Sequence, residues 1–195
     1  FALTWDYRCP FARIVHRHVV DGLLDGADWD VTFVPFCLGQ VHVEPGEQPI
    51  WERPDDDTGL LALQAAVVVR DTQPDRFLTV HRDLFEARHE HGAQLRDRAV
   101  LTELLEKAGV DVDAVFEAVA GGGPLATVRR EHEAAATDLD VWGVPTFMAG
   151  GRAAFVRLMD LPSDAADARR SVERCVDLLA EWPSLNEFKH TSLDQ

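Results

Sequence analysis

An α/β fold interrupted by a long all-helical insertion is what this sequence predicts, on three observations. A strand, a helix and a second strand follow one another before residue 37; helical patterning with little strand signal then runs from about Thr58 to Leu139; strand patterning returns after it in a hairpin. The reading divides the chain into one α/β domain, residues 1–44 and 134–195, and a helical insertion, 45–133.

Phe1–Trp5 reads as a strand running straight into a helix, where Phe11, Ile14, Val15, Val19 and Leu23 form one apolar stripe and Gly22 and Gly26 mark the exit. Trp29–Phe36, rich in Val and Phe, reads as a second strand finishing at Pro35. So short a strand–helix–strand unit implies a parallel crossover. From Val41 to Asp57 the pattern dissolves into Pro45, Gly46, Pro49, Pro54 and the run Asp55-Asp56-Asp57, read as a long loop ending in a solvated helix start.

Five helices are predicted next. Leu60, Leu61, Gln64, Val67 and Val68 mark the first; Pro74 opens the second, with Phe77, Val80, His81, Leu84 and Phe85. Val100, Leu101, Leu104 and Leu105 make a third that Gly109 stops, Val112–Val119 a fourth stopped by the glycines at 121–123, and Pro124 opens the fifth. His81, His89, His91 and His132 fall here and are expected at the surface. A spacing of two puts His89 and His91 on different helix faces, so no metal site is expected. Thr146–Ala149, Gly150-Gly151 and Ala153–Val156 then read as a hairpin, with Pro145 immediately before it and a cis bond at Val144–Pro145 as a purposeful feature if present. Ser163 or Asp164 caps a last helix ending near Trp182, and the polar tail offers one apolar contact, Phe188.

At 195 residues and net charge −15, the chain is acidic, with no apolar run long enough to cross a bilayer. Nucleic acid and anionic membrane are thereby excluded as general partners. Cys9, Cys37 and Cys175 are too few and too scattered for a disulfide framework, and no charged-then-apolar leader precedes the first strand; both point to a reducing cytoplasm. The first residue, Phe1, leaves a removed signal peptide open.

The chemistry concentrates at Trp5-Asp6-Tyr7-Arg8-Cys9-Pro10-Phe11-Ala12. Cys9 falls at the N-cap and Pro10 at the first helical position, so the sulfur faces the positive end of a helix. Between Asp6 and Asp21 there is no acidic residue, while Arg8, Arg13, His16, Arg17 and His18 form a basic island. An acidic, reactive thiol is therefore expected, the plain alternative being a small buried apolar residue at a strand end.

Strand, Cys-Pro at a helix start, parallel strand, helical insertion and Gly143-Val144-Pro145-Thr146-Phe147 before a hairpin: this order resembles the DsbA-like branch of the thioredoxin superfamily along nearly the whole chain. Within it the chain looks like the group of FrnE-type oxidoreductases, hydroxychromene-carboxylate isomerases, kappa-class glutathione transferases and mycothiol-dependent nitroreductases; the tail Asn186–Thr191 also looks like the last of these. The resemblance implies a thioredoxin-like fold and an enzyme with Cys9 as attacking thiolate. Pro10, Phe11 and Ala12 would line the thiol site, Val144 would offer its backbone to a bound thiol, and Pro145 would keep that edge open. The implied pocket has Trp5, Tyr7, Arg8, Arg13, Trp51 and Trp142 as candidate walls, with the core competing for each aromatic. Ala12 stands where dithiol members carry a second cysteine, which makes this a monothiol variant. A low-molecular-weight thiol, mycothiol or glutathione, would then be co-substrate with an electrophile or disulfide as partner, no cofactor being tightly bound and a homodimer remaining open. Core packing is expected for Cys37 and Cys175, with Cys37 open as a resolving thiol in place of an outside one if it comes close to Cys9. Two other functions stay open, a hydroxychromene-type isomerase, disfavoured because Asn186 is the only asparagine, and a redox-inert binding domain.

Overall fold

The computed structural model describes residues 1–187, 189 and 190. Strand β1 (Ala2–Trp5) lies between β2 (Thr32–Pro35), its parallel neighbour, and β3 (Thr146–Ala149), to which it is antiparallel; β4 (Arg152–Phe155) closes that side by an antiparallel hairpin. The parallel β1–β2 pair is joined by α1 (Pro10–Leu24), as parallel pairing requires a crossover. β2 is shorter than the Trp29–Phe36 run because its partner strand starts only at Ala2, which pairs with Thr32, leaving residues 29–31 no ladder to join.

Trp29 instead fixes the end of α1. A Cβ on Gly22 would lie 2.4 Å from the Trp29 ring, so this glycine is a packing requirement rather than the helix exit; the chain leaves through Gly26, at φ 82°. The expected loop is partly ordered, into a short helix α2 (Leu38–Val41) and two 3₁₀ turns, Ile50–Glu52 and Pro54–Asp56.

The helical block comprises α3 (Leu60–Thr72), α4 (Pro74–Glu90), α5 (Arg98–Lys107), α6 (Val112–Ala120) and α7 (Gly123–Leu139). Helix α3 is apolar on almost every side and is packed by α4, α6 and α7, so it is the axis of the block. Helix α7 runs unbroken past residue 134 and carries the block on to Leu139. Helices α4 and α8 (Ala165–Glu181) pack on α1, and α7 meets β2. One apolar cluster therefore runs from Leu3, Trp5 and Phe147 of the sheet to Leu63, Phe77 and Leu101 of the helices. Arg70 of α3 stiffens the seam: its guanidinium donates to the Phe33 carbonyl on edge strand β2 at 2.7 Å and pairs with Glu131 of α7. No helix of the described residues is long and apolar enough to cross a membrane. Phe188 lies outside the described residues.

Candidate active site around Cys9

The turn after β1 delivers Cys9 to the N-cap of α1. Its N–H donates to the Asp6 carbonyl at 3.1 Å, its backbone is extended, and its sulfur accepts the Ala12 N–H at 3.4 Å, with Pro10 exposed at the first helical position. The loop before β3 comes to meet it. The thiol donates to the Val144 carbonyl at 3.4 Å, and the Val144–Pro145 peptide is cis. The Val144 N–H has no hydrogen-bond partner among the described residues, although Val144 is only 3 % exposed. An orphaned backbone donor beside a half-buried sulfur suits a ligand amide. Thr4 of β1 holds this loop: its hydroxyl accepts the Thr146 N–H at 2.9 Å and donates to the Gly143 carbonyl, which also accepts from the Thr146 hydroxyl at 2.9 Å.

The electrostatics depart from the sequence reading. Burial pushes the Cys9 thiol up; the Ala12 and Phe11 N–H groups oppose it, Asp6 adds to it, and Arg157 opposes it. The resting group is thus a thiol held by the Val144 carbonyl rather than a strongly acidic thiolate. Nor is the basic island free charge. Arg8 pairs with Asp6 and Asp57, Arg13 with Glu90, and Arg17 with Asp21 and Glu86, while His16 and His18 are buried. The cation that does act on the sulfur is Arg157, whose guanidinium lies 4.6 Å above the Phe11 ring. Sequence reasoning missed it, because an arginine just beyond a hairpin carries no local signal of what it faces.

Arg8 belongs to a clamp rather than a pocket wall. It donates to both oxygens of fully buried Asp6, at 3.1 and 2.8 Å, and lies 2.8 Å from Asp57. Asp6 also accepts the Leu38 N–H, and Asp57 the Gly59 and Leu60 N–H groups at the start of α3. Burial works against the Arg8 charge, yet the two carboxylates outweigh it and push its pKa up. The acidic run is therefore solvated only at Asp55 and Asp56. A Cβ on Gly39 would fall 1.8 Å from Asp57 Oδ2, so only glycine leaves room for this carboxylate. Cys37 sits beside it, buried, its thiol pushed up to about 12 by burial and then by Asp6 and Asp57; Cys175 is pushed up to about 11 by burial. All three cysteines are free.

Trp5 and Tyr7 are fully buried and Trp51 nearly so, which removes them as pocket walls. Tyr7 instead starts an internal chain. Since a carbonyl only accepts, His16 Nε2–H donates to the Thr4 carbonyl at 3.0 Å; His81 Nε2–H must then donate to His16 Nδ1 and the Tyr7 hydroxyl to His81 Nδ1, each at 2.9 Å. Both rings are neutral: burial lowers His16 to about 4 and His81 well below its ordinary value. Burial likewise lowers His132 to about 4, so the expected surface histidines 81 and 132 are core groups, because the aromatic cluster around them leaves no solvent. His89 donates to the Tyr7 carbonyl at 2.8 Å and holds the turn from the α4 side, a tie the sequence did not show. Trp142 is 65 % exposed and lies against Phe155. Among the described residues no group of His, Cys, Asp or Glu is arranged to hold a metal.

Residues 4–164 match the family model of the DSBA-like thioredoxin domain. Among solved structures, the cytosolic disulfide reductase DsbM from Pseudomonas aeruginosa is similar over 91 % of this chain and 98 % of its own, at 19 % identity and TM-score 0.61; the same protein with GSH gives 18 % and 0.61 over the same shares. Pseudomonas aeruginosa DsbA is similar over 88 % of this chain and 79 % of its own, at 18 % identity and TM-score 0.57. No curated protein matches in sequence. With the family match covering most of the chain and the cysteine, the proline loop and the helical block in matching order, the chain belongs to the DSBA-like thioredoxin domain family.

Proposed function

We propose that this protein is a monothiol thiol–disulfide oxidoreductase that works through Cys9 with a low-molecular-weight thiol, mycothiol or glutathione, in a reducing cytoplasm. The family makes thiol–disulfide exchange the class of chemistry, and the observation that carries the reading is the meeting of the Cys9 sulfur with the Val144 backbone at a helix N-terminus. The similar DsbM is described as cytosolic and has been seen with GSH, which supports the compartment and the co-substrate.

In the first step the Cys9 thiolate attacks one sulfur of a disulfide, the S–S bond breaks, and the other half leaves as a thiolate that takes up a proton. Ala12 offers no second sulfur, so an outside thiolate attacks the mixed disulfide, releasing Cys9 and a new disulfide. The Val144 carbonyl holds the resting thiol in its neutral form. A ligand amide taking that carbonyl and the Val144 N–H would free the sulfur to ionise against the Ala12 N–H, so ligand binding itself activates the nucleophile.

The test is turnover of a mixed disulfide with glutathione or mycothiol as reductant. Wild type should turn over and Cys9→Ser should fall to background, whereas turnover retained in Cys9→Ser contradicts the reading. A binding domain without redox chemistry is the second reading, favoured by the upward push that burial gives Cys9. It predicts ligand binding without turnover in wild type.

A further inference from the structure

Beside Cys9 the charges divide into spent and unspent. Arg8 and Arg13 are taken by carboxylates, whereas Arg157 has no carboxylate partner among the described residues and lies over aromatic rings, its guanidinium 4.6 Å from the Phe11 centroid and 6.0 Å from that of Phe155. Its place is nevertheless set from two directions. The preceding residue is tied to the proline loop, Val156 N–H donating to the Pro145 carbonyl at 3.1 Å, and the side chain rests on Phe11, two residues beyond the sulfur. A guanidinium lying on a ring uses its face there, so its N–H donors, which lie in its plane, stay available for a carboxylate. In a chain of net charge −15 the distant field repels anions, and a local unpaired cation is what admits one.

Building on the reading of Cys9 as the exchanging sulfur, we infer that Arg157 selects the co-substrate by binding the carboxylate of an anionic small thiol. The sulfur of that thiol then meets Cys9 and its amide meets Val144. Glutathione bears carboxylates and mycothiol bears none, so the geometry favours the carboxylate-bearing class.

The experiment measures the rate of mixed-disulfide formation at Cys9 by intact mass, using glutathione disulfide and the uncharged bis(2-hydroxyethyl) disulfide. Arg157→Gln should lose about tenfold or more with glutathione disulfide and at most about twofold with the uncharged one, while Arg157→Lys recovers part of the loss. High salt should erode the wild-type preference. Equal losses with both disulfides would mean that Arg157 acts only on the sulfur or on the fold, and would overturn the selection role; so would an unchanged rate with glutathione disulfide. Wild type inert towards both disulfides overturns the reading of Cys9 itself and the role of Arg157 with it.

Discussion

Residues 5–8 and residues 9–11 are neighbours in sequence with opposite fates. On the first side the charged groups and the hydroxyl are satisfied inside the protein, although the buried Trp5 Nε1–H has no partner among the described residues: Asp6 and Asp57 close on Arg8, and the Tyr7 hydroxyl closes through two histidines on the Thr4 carbonyl. On the second side the sulfur makes two long contacts, the Val144 N–H is unpaired among the described residues, and Arg157 rests on a ring. Internal closure of charged groups holds the fold, whereas unspent hydrogen-bonding capacity gathered around one sulfur is capacity that a ligand could use. The Cys9 turn is thus an internally tied mount beside groups with hydrogen-bonding capacity to spare.

The comparison breaks most readily at Arg8. Arg8→Ala leaves two carboxylates without their cation, Asp6 wholly buried, and should cost roughly 3 kcal/mol, read as a lower urea midpoint with the slope unchanged. A loss below about 0.5 kcal/mol would mean that the clamp is an ordinary surface pair.

Acid probes the same side. The fold holds His16 at about 4, below the ordinary 6.5, so the unfolded chain binds the extra proton between those values. Stability is then full above about pH 6.5 and falls as the pH drops towards 4, by about 1.4 kcal/mol per pH unit. His81 and His132 add to that slope for the same cause, and urea titrations at pH 7, 6 and 5 measure the sum. His16→Gln should make the profile shallower, and an unchanged slope would contradict the neutral chain.

The smallest effect is expected from Tyr7→Phe, which leaves His81 Nδ1 unpaired and should cost about 1–2 kcal/mol. Exchange at Cys9 should continue at the wild-type rate, because the hydroxyl points into the core. A large fall in that rate would move Tyr7 from mount to site.

The contrast also explains what could be read before the structure was known. Cys9, Pro10 and the Val144–Pro145 loop were legible because each carries a local conformational signature, an N-cap, a first-turn proline and a strand-leading proline. The helical block was legible from periodicity, as were the hairpin and α8. The clamp was not, since Arg8 and Asp57 lie far apart in sequence and the Asp run looks alike at all three positions. His81 reads as one more polar residue on an amphipathic helix, and only the packing of α4 on α1 reveals its partner His16. Residues 8–18 read as a positive island because the carboxylates that neutralise Arg8, Arg13 and Arg17 lie mostly on other elements. Arg157 was missed for the converse reason, its meaning residing wholly in what folds against it.

The most direct measurement is the intact mass of the protein after incubation with oxidised glutathione or oxidised mycothiol. A single thiol adduct is predicted in wild type, mapping to Cys9 and absent in Cys9→Ser although Cys37 and Cys175 remain. No adduct with either compound, or an adduct carried by Cys37 or Cys175, would contradict the assignment of Cys9 as the reacting sulfur.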